Sequence, residues 1–417
     1  MGAVVRYRRH GWVVAASLGS LSSSGCGVDP PGFAGGPPVD SGAADARPLE
    51  GSDASGVAPP PLNVRLDSSF GQEGNVGGAL ADWSPVGVAL DAQGRLVVSG
   101  PGGDPAAPVS EVVRRFTPDG ALDVAFGASG KVTFALSPDT WGQAVRVLPG
   151  GGIGVLGAAS LDGDAGSFAV RMNADGATDT TFAGSLLLTS VTGRFSAGLW
   201  QDDGGGLLFG AGASLRFDAG GGVDASYGTG GLTPPSVAGA FVTDGRVWTA
   251  AGSRVSRYLA TGALDATFGQ GGAFDLPWGD GGPETPVLQC ILIDARERAV
   301  VIGAHPSAPS YDVDVTRLTA SGGVDATYGA GGVVSVPAEG GPVGAAQLAD
   351  GRVLVWTSYG DLLAIAPDGA PDGTWKLDVS GTVLAATLDA SQRLVVVGMT
   401  TSDPMRSMWF VRRHLLM

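Results

Sequence analysis

Three small groups of side chains in this 417-residue chain have types and spacings that could do chemistry. Asp162 and Asp164, in DGDAG, alternate carboxylates around a glycine bend. A hard cation takes oxygen ligands in that way, and a calcium loop opens so. The run lacks a third ligand and a closing glutamate, and an ordinary acidic turn competes with it. Trp278, Asp280 and Glu284, in WGDGGPE, set an aromatic face beside two carboxylates, which suits stacking on a sugar; a tryptophan packed against neighbouring structure is the other reading. His305 and Asp312 share AHPSAPSYDVD, from which a serine–histidine–aspartate triad can be drawn, although no motif positions a nucleophile. An exposed loop histidine explains the same residues.

Little else can be catalytic. His10 lies in an N-terminal leader, so only His305 and His414 remain, too few for a histidine-rich metal site. No metal and no cofactor are expected, and the glycines of GGPVGAA have no helix N-terminus to hold a phosphate. The formal charge of −15 argues against nucleic acid or an anionic lipid surface as a partner.

The N-terminus reads as a secretion signal. Arg6, Arg8 and Arg9 precede a short apolar core, Trp12 to Leu21, which is too short to span a bilayer, and small residues lead into Cys26. The pattern resembles a bacterial lipoprotein signal, which implies a signal peptide over 1–25 and a lipid on Cys26, with Ser23 standing where a leucine is usual. A plain cleaved signal with an incidental cysteine is the alternative. Residues 26–61 hold eight prolines and little to bury, and read as a tether. Cys290, in VLQCILI, reads as an inert core thiol on a buried strand.

The elements that must position these groups are legible in composition and repetition. Glycine supplies 71 of 417 residues, against about 7% in average proteins. Of 40 acidic residues only Glu50, Glu73, Glu111, Glu284, Glu297 and Glu339 are glutamates. Aspartate folds back on its own backbone in turns, whereas glutamate favours helices, so the bias points to strands joined by turns.

One phrase recurs seven times, as LDSSFG, LDVAFG, TDTTFA, VDASYG, LDATFG, VDATYG and PDGTWK. Its aspartates are Asp67, Asp123, Asp179, Asp224, Asp265, Asp325 and Asp372, spaced 41 to 60 residues apart, and each precedes an aromatic by three positions. A unit of about 50 residues suits one four-stranded propeller blade. The second unit shows four such runs: KVTF, WGQAVRVLP, IGVLGAA and SFAVRMN. In this parsing the phrase joins the last strand of one unit to the first of the next.

An arginine stands eight residues before the aspartate at Arg115, Arg171, Arg216, Arg257 and Arg317; Ala364 takes its place before Asp372. Asp67 has no such arginine, while Arg413 near the C-terminus has no following aspartate. The two ends are complementary halves of one linkage. The expectation is an all-β, seven-bladed β-propeller of four-stranded antiparallel blades over 62–417, closed where Arg413 meets Asp67.

The pattern in RFTPDGALDVAFGASGKVTF, Arg115 to Phe134, resembles the delta-60 repeat family of bacterial β-propeller proteins. The resemblance covers most of 62–417 and implies the fold and an exported setting at the outer membrane or cell surface, with no established activity.

In such blades the uniform turns, the DGR hairpins and the repeated phrase, share one face. The irregular connections share the other, and a ligand is expected there. The expectation is a monomeric binding or scaffold module for a protein or glycan; a carbohydrate-active enzyme with acids at the channel mouth is the alternative. Trp83 and Trp141, at equivalent strand starts, are expected in the core.

Overall fold

The computed structural model describes residues 61–417 except 81–82, 103–109, 137–139, 162–163, 183–194, 202–203, 211–212, 237, 243, 279–286, 295, 308–309, 380 and 401–407. The phrase that repeats is built the same way at almost every copy, and it explains the choice of residues. Asp265 Oδ1 accepts the N–H of Thr267 at 3.0 Å and its hydroxyl at 2.6 Å. Asp67 does the same with Ser69, and Asp325 with Thr327. A short carboxylate two residues before a hydroxyl side chain therefore fixes the turn locally. The aromatic then turns inward: Phe70, Phe126 and Phe268 are fully buried. Each such ring contributes roughly 2–3 kcal/mol by leaving water.

The strands form seven antiparallel sheets. Blade 1 runs Gly87–Leu90, Leu96–Gly102, Ser110–Phe116 and Lys131–Phe134 from the axis outward. Blade 5 repeats it with Val287–Ile293, Ala299–Ser307, Ser310–Leu318 and Val333–Ala338, and blade 6 with Pro342–Gln347, Val353–Thr357, Asp361–Ile365 and Pro371–Lys376. In blade 2, three strands from Thr140 to Met172 pair among the described residues. The first strand of every blade packs on the first strand of the next, and Gly381–Leu388 of blade 7 returns to Gly87–Leu90 of blade 1. These seven strands surround the axis, so the protein is a seven-bladed β-propeller.

Blade 7 is closed by both chain ends. Met408–Leu416 pairs with Leu394–Thr400 on one side, and on the other with Asn75–Ala79 and Val64–Leu66. Arg413 Nε lies 2.7 Å from Asp67 Oδ2, as the complementary ends require. The core lies between blades. Cys290, Ile302 and Val315 of blade 5 pack with Val353, Leu363 and Ile365 of blade 6.

The structure shifts the blade frame by one strand from the sequence parsing. Lys131–Phe134 is the outer, fourth strand of blade 1, not the first strand of blade 2. The phrase accordingly connects the third and fourth strands within a blade. A sequence repeat has no marked beginning, and only hydrogen bonding tells where a sheet starts. The seventh copy also differs: PDGTWK is itself the outer strand Pro371–Lys376, with Trp375 paired to Leu362. Asp372 is therefore in a strand, not a turn, and Trp375 is only half-buried.

Cys290 corrects a second expectation. It is fully buried as foreseen, yet it is disulfide-bonded rather than a free thiol. Cys26, the other cysteine of the chain, lies outside the described residues.

Candidate functional site

The two faces of the ring differ in how their polar groups are used. On one face lie the hairpins between first and second strands, together with the repeated phrases. In the hairpin at Asp91, Oδ1 accepts two backbone N–H groups and Oδ2 holds Arg95 Nε at 2.6 Å. Asp294 with Arg298 and Asp389 with Arg393 are built alike. The arginine of each pair also reaches the phrase aspartate: Arg298 Nη1 is 3.5 Å from Asp325 Oδ2, which Arg317 Nε holds at 2.8 Å.

The phrase arginine also ties blade to blade at most seams. Arg317 Nη1 donates to Pro367 O at 2.6 Å and Arg257 Nη1 to Ala320 O at 2.5 Å, both on the following blade. Arg115 makes the same bond to Ala174 O. The aspartates and arginines of this face thus hold one another, and the face is scaffold. Asp265 shows the electrostatics: the Thr267 hydroxyl, opposed by burial and aided by the Arg257 charge, holds its carboxyl below the usual range. Asp224 is the loosest member, 4.0 Å from Arg216, whose Nη2 turns to Gln201.

The opposite face carries the connections of unequal length. Of the residues expected there, Asp162, Asp280 and Glu284 lie outside the described residues, as does the side chain of Asp164. Asp164 pairs with Leu161, so two long strands meet there in a tight hairpin. Trp278 is only 4% exposed and donates its Nε1–H to Thr316 Oγ1 at 2.7 Å. Its ring packs with Leu276 and Val301 between blade 4, which runs from strand Ala238–Phe241 to strand Ala273–Asp275, and blade 5, so it offers no free stacking surface. Trp83 is core as expected, with Nε1–H on Val112 O; the side chain of Trp141 lies outside the described residues.

His305 is not in a loop. It sits near the end of strand Ala299–Ser307, opposite Asp312 in strand Ser310–Leu318. Asp314 Oδ2 lies 2.6 Å from His305 Nδ1, and Asp312 Oδ2 lies 3.6 Å from Nε2. Asp314 is buried, its side chain 8% exposed, whereas the His305 side chain is 25% exposed. A carboxylate only accepts, so Nδ1 carries the hydrogen of this bond and Nε2 faces Asp312. Sequence reading singled out His305 and Asp312 and missed Asp314. The cue was the period of two in YDVDV, which puts both aspartates on one side of a strand.

On blade 6 the same face carries Lys376, bonded to Glu339 at 2.7 Å and to Asp361 at 2.9 Å. Tyr359 stands beside them, half exposed.

Glu111 was also missed. It is the fully buried end of strand Ser110–Phe116, and its Oε2 accepts the N–H of Gly142 on blade 2 at 2.5 Å. A Cβ at Gly142 would lie 2.3 Å from Glu111 Oε1, so glycine makes room for the carboxyl. Burial pushes the Glu111 carboxyl up to about 8, against the lowering effect of the Gly142 N–H. The available cue was a lone glutamate inside the β run SEVVRRF.

No protein-family model matches the chain, and no curated protein does. Solved structures do. The WD40 β-propeller domain of Doa1 is similar with a TM-score of 0.49 and 11% identity, over 84% of this chain and 97% of that one. A structure described as YCF48 bound to D1 peptide has a TM-score of 0.49 and 11% identity, over 82% of this chain and 98% of that one. The seven-bladed fold of this chain stands on its own strand pairing.

Proposed function

We propose that this protein is an exported binding or scaffold module of the cell envelope that recognises a protein or glycan with its irregular face. The observation that carries the reading is the contrast between the faces. On the repeated face, aspartates and arginines close on one another and on backbone carbonyls. The irregular face directs His305, Asp312, Glu339, Lys376 and Tyr359 towards solvent from blades 5 and 6. A partner finds the unequal connections on that side, with accessible polar groups that are not drawn into the repeated aspartate–arginine contacts.

Capture of envelope proteins and a glycan array, run with the full chain, test the proposal. The combined change Tyr359→Ala, Glu339→Ala and Lys376→Ala is expected to abolish the interaction. Asp119→Ala on the repeated face is expected to leave it unchanged. The opposite pattern overturns the reading. The buried Trp278 ring offers no stacking surface for a sugar, and Asp280 and Glu284 lie outside the described residues; a carbohydrate-active enzyme with acids at the channel mouth is the alternative reading.

Export rests on the basic leader and its short apolar core, and lipid anchoring on Cys26. Six turn-forming phrases with a serine, threonine or valine–alanine step before the aromatic support membership of the delta-60 repeat family. Within one chain, a lipid thioether at Cys26 and a disulfide at Cys290 compete for the only two sulfurs of cysteine. Intact mass under non-reducing conditions decides: the anchored form carries the lipid and one alkylatable thiol at Cys290. Unchanged membrane partitioning of Cys26→Ser removes the anchor from the proposal.

A further inference from the structure

The first strands share a device that neither the hairpins nor the repeated phrase needs. In blades 2, 5, 6 and 7, and in blade 3, which opens with strand Phe195–Trp200, one residue bulges out of the ladder with the second strand. These residues are Gln143, Gln289, Val343, Leu384 and Ser196. Blade 1 has its bulge at Val86, which donates its N–H to Ser99 O at 2.8 Å while Gly87 is the ladder partner of Ser99. Each lies five residues before the residue that opens its hairpin on the repeated face, so it stands at the irregular end of its strand, beside the axis. A bulge repeated in register re-aims a side chain and is no defect.

The backbone that these bulges leave out of the ladder is already served. Pro85 and Pro342, one place before the extra residue, have no N–H to satisfy. At the same place, Gly142 gives its N–H to Glu111 Oε2 and Val383 gives its N–H to Ser358 O at 2.9 Å. What the bulges present is therefore side chains. Val86, Gln143, Gln289, Val343 and Leu384 are each half-buried, and the side chain of Ser196 lies outside the described residues.

Read around the axis from blade 5 through blades 6, 7 and 1 to blade 2, the bulged residues are glutamine, valine, leucine, valine and glutamine. The arc carries no charge, in a chain whose formal charge is −15. Tyr359 stands over its middle. The Ser358 carbonyl beside it holds Val383, next to Leu384, and a Cβ on Gly340 would lie 2.7 Å from Tyr359 Cδ2, three residues before Val343. Tyr359 is itself 51% exposed.

We infer that this arc anchors an extended segment of a protein partner, which sets one uncharged apolar side chain against Val343, Leu384 and Val86. The amides of Gln289 and Gln143, one at each end, donate to and accept from the backbone of that segment. A sugar fits the arc poorly, because three apolar neighbours leave its hydroxyls without partners. A charged side chain fits no better, since nothing in the arc neutralises it. The inference rests on recognition by the irregular face and chooses a protein over a glycan as the partner.

The test applies the labelled full chain to an array of short peptides of random sequence, and the strongest binders are titrated by calorimetry. The binders are expected to share an apolar side chain and to lose about 10–100-fold in affinity for Leu384→Asp. Leu384→Met keeps the apolar contact and binds as the parent does. Gln143→Ala and Gln289→Ala each weaken binding by about 2–10-fold. Thermal unfolding without peptide checks that each variant folds, and Val86→Ser takes the place of Leu384→Asp if the latter does not. The inference is overturned if no peptide binds the parent, or if the binders hold the folded arc variant as tightly as the parent. A glycan array run in parallel separates this inference from the reading beneath it. Glycan binding that is abolished by the combined change at Tyr359, Glu339 and Lys376, and left intact by Leu384→Asp, keeps the irregular face as the site and overturns the peptide arc.

Discussion

Arg413 and Asp67 stand 346 positions apart in the chain and 2.7 Å apart in space. The same guanidinium donates to Pro118 O of blade 1 at 2.5 Å, reaches Ser69 Oγ at 3.3 Å and lies 4.8 Å from the centre of the Phe70 ring. One side chain thus joins the last strand, the first turn and the neighbouring blade. It is the phrase contact of Arg257 or Arg317, assembled from the two ends of the molecule.

Breaking that contact should open the ring. Arg413→Ala leaves the Asp67 carboxylate buried without its main cation, a loss of about 3–5 kcal/mol. Burial acts to raise the Asp67 carboxyl, but hydrogen bonds from Ser69 and from Arg413 outweigh it and hold the group below the usual range. The pair therefore stabilises fully above the unfolded value and loses its effect as pH falls through the folded one. Urea unfolding of Arg413→Ala, compared with Arg254→Ala at the exposed Asp275 pair, measures it; equal effects of the two would exclude the closure role.

Two phrases carry tyrosine where four turn-forming copies carry phenylalanine. The hydroxyls of Tyr227 and Tyr328 are buried without a hydrogen-bond partner among the described residues, and burial pushes the Tyr227 phenol up to about 12. Tyr227→Phe and Tyr328→Phe remove an unsatisfied polar atom and should each stabilise by about 1 kcal/mol. A lowered melting temperature in either variant would show that its hydroxyl is satisfied in solution.

Glu111 should give the protein a stability that falls towards alkaline pH. Its folded value is about 8 against an ordinary 4.5, so the folded state binds the extra proton between those limits. Stability from this group is complete below pH 4.5 and declines as pH rises through 8. The buried His414, lowered to about 4 by desolvation and by the Arg412 charge, acts oppositely below its ordinary 6.5. The Glu111 effect is therefore read cleanly from pH 6.5 to 8. Glu111→Gln should flatten that limb of the chemical-denaturation profile; a parallel profile would assign the slope elsewhere.

The glycine three residues before the phrase aspartate is a contact residue as well as a turn residue. Gly322 has φ +85°, and a Cβ there would lie 2.4 Å from the backbone N of Gly269 on blade 4. Gly331 has φ +68° with nothing within 4 Å of its would-be Cβ. Gly331→Ala should cost about 1–2 kcal/mol, the left-handed backbone alone. Gly322→Ala should cost about 1–3 kcal/mol more, from forcing two blades apart. Equal melting temperatures for the two variants would mean that the blades do not meet there.

The phrase that looked like a joint between blades is one, though not along the chain. Covalently it lies within a sheet; its arginine and aromatic cross to the next blade. The joint is missing where Ala364 replaces the arginine, between blades 6 and 7. There Arg352 Nη1 takes Asp372 at 3.0 Å, and Leu354, Leu362, Val383 and Leu394 pack across the seam. The substitution was visible in the sequence, but its partner was not, because Arg352 is twenty residues from Asp372 by way of a different strand.

The sequence by itself determined the blade number, the closure and the turns. Each rests on contacts within about ten residues, or on a missing partner at one end that only the other end can supply. Local chemistry of that kind survives in the order of residues. Where each sheet begins depended on which strands share hydrogen bonds, and a repeat without a marked start cannot say. The tertiary structure alone turned Trp278 inward, buried Glu111 against Gly142 and set Asp314 behind His305. Those placements depend on neighbouring strands and blades, and burial of a side chain is a property of what surrounds it.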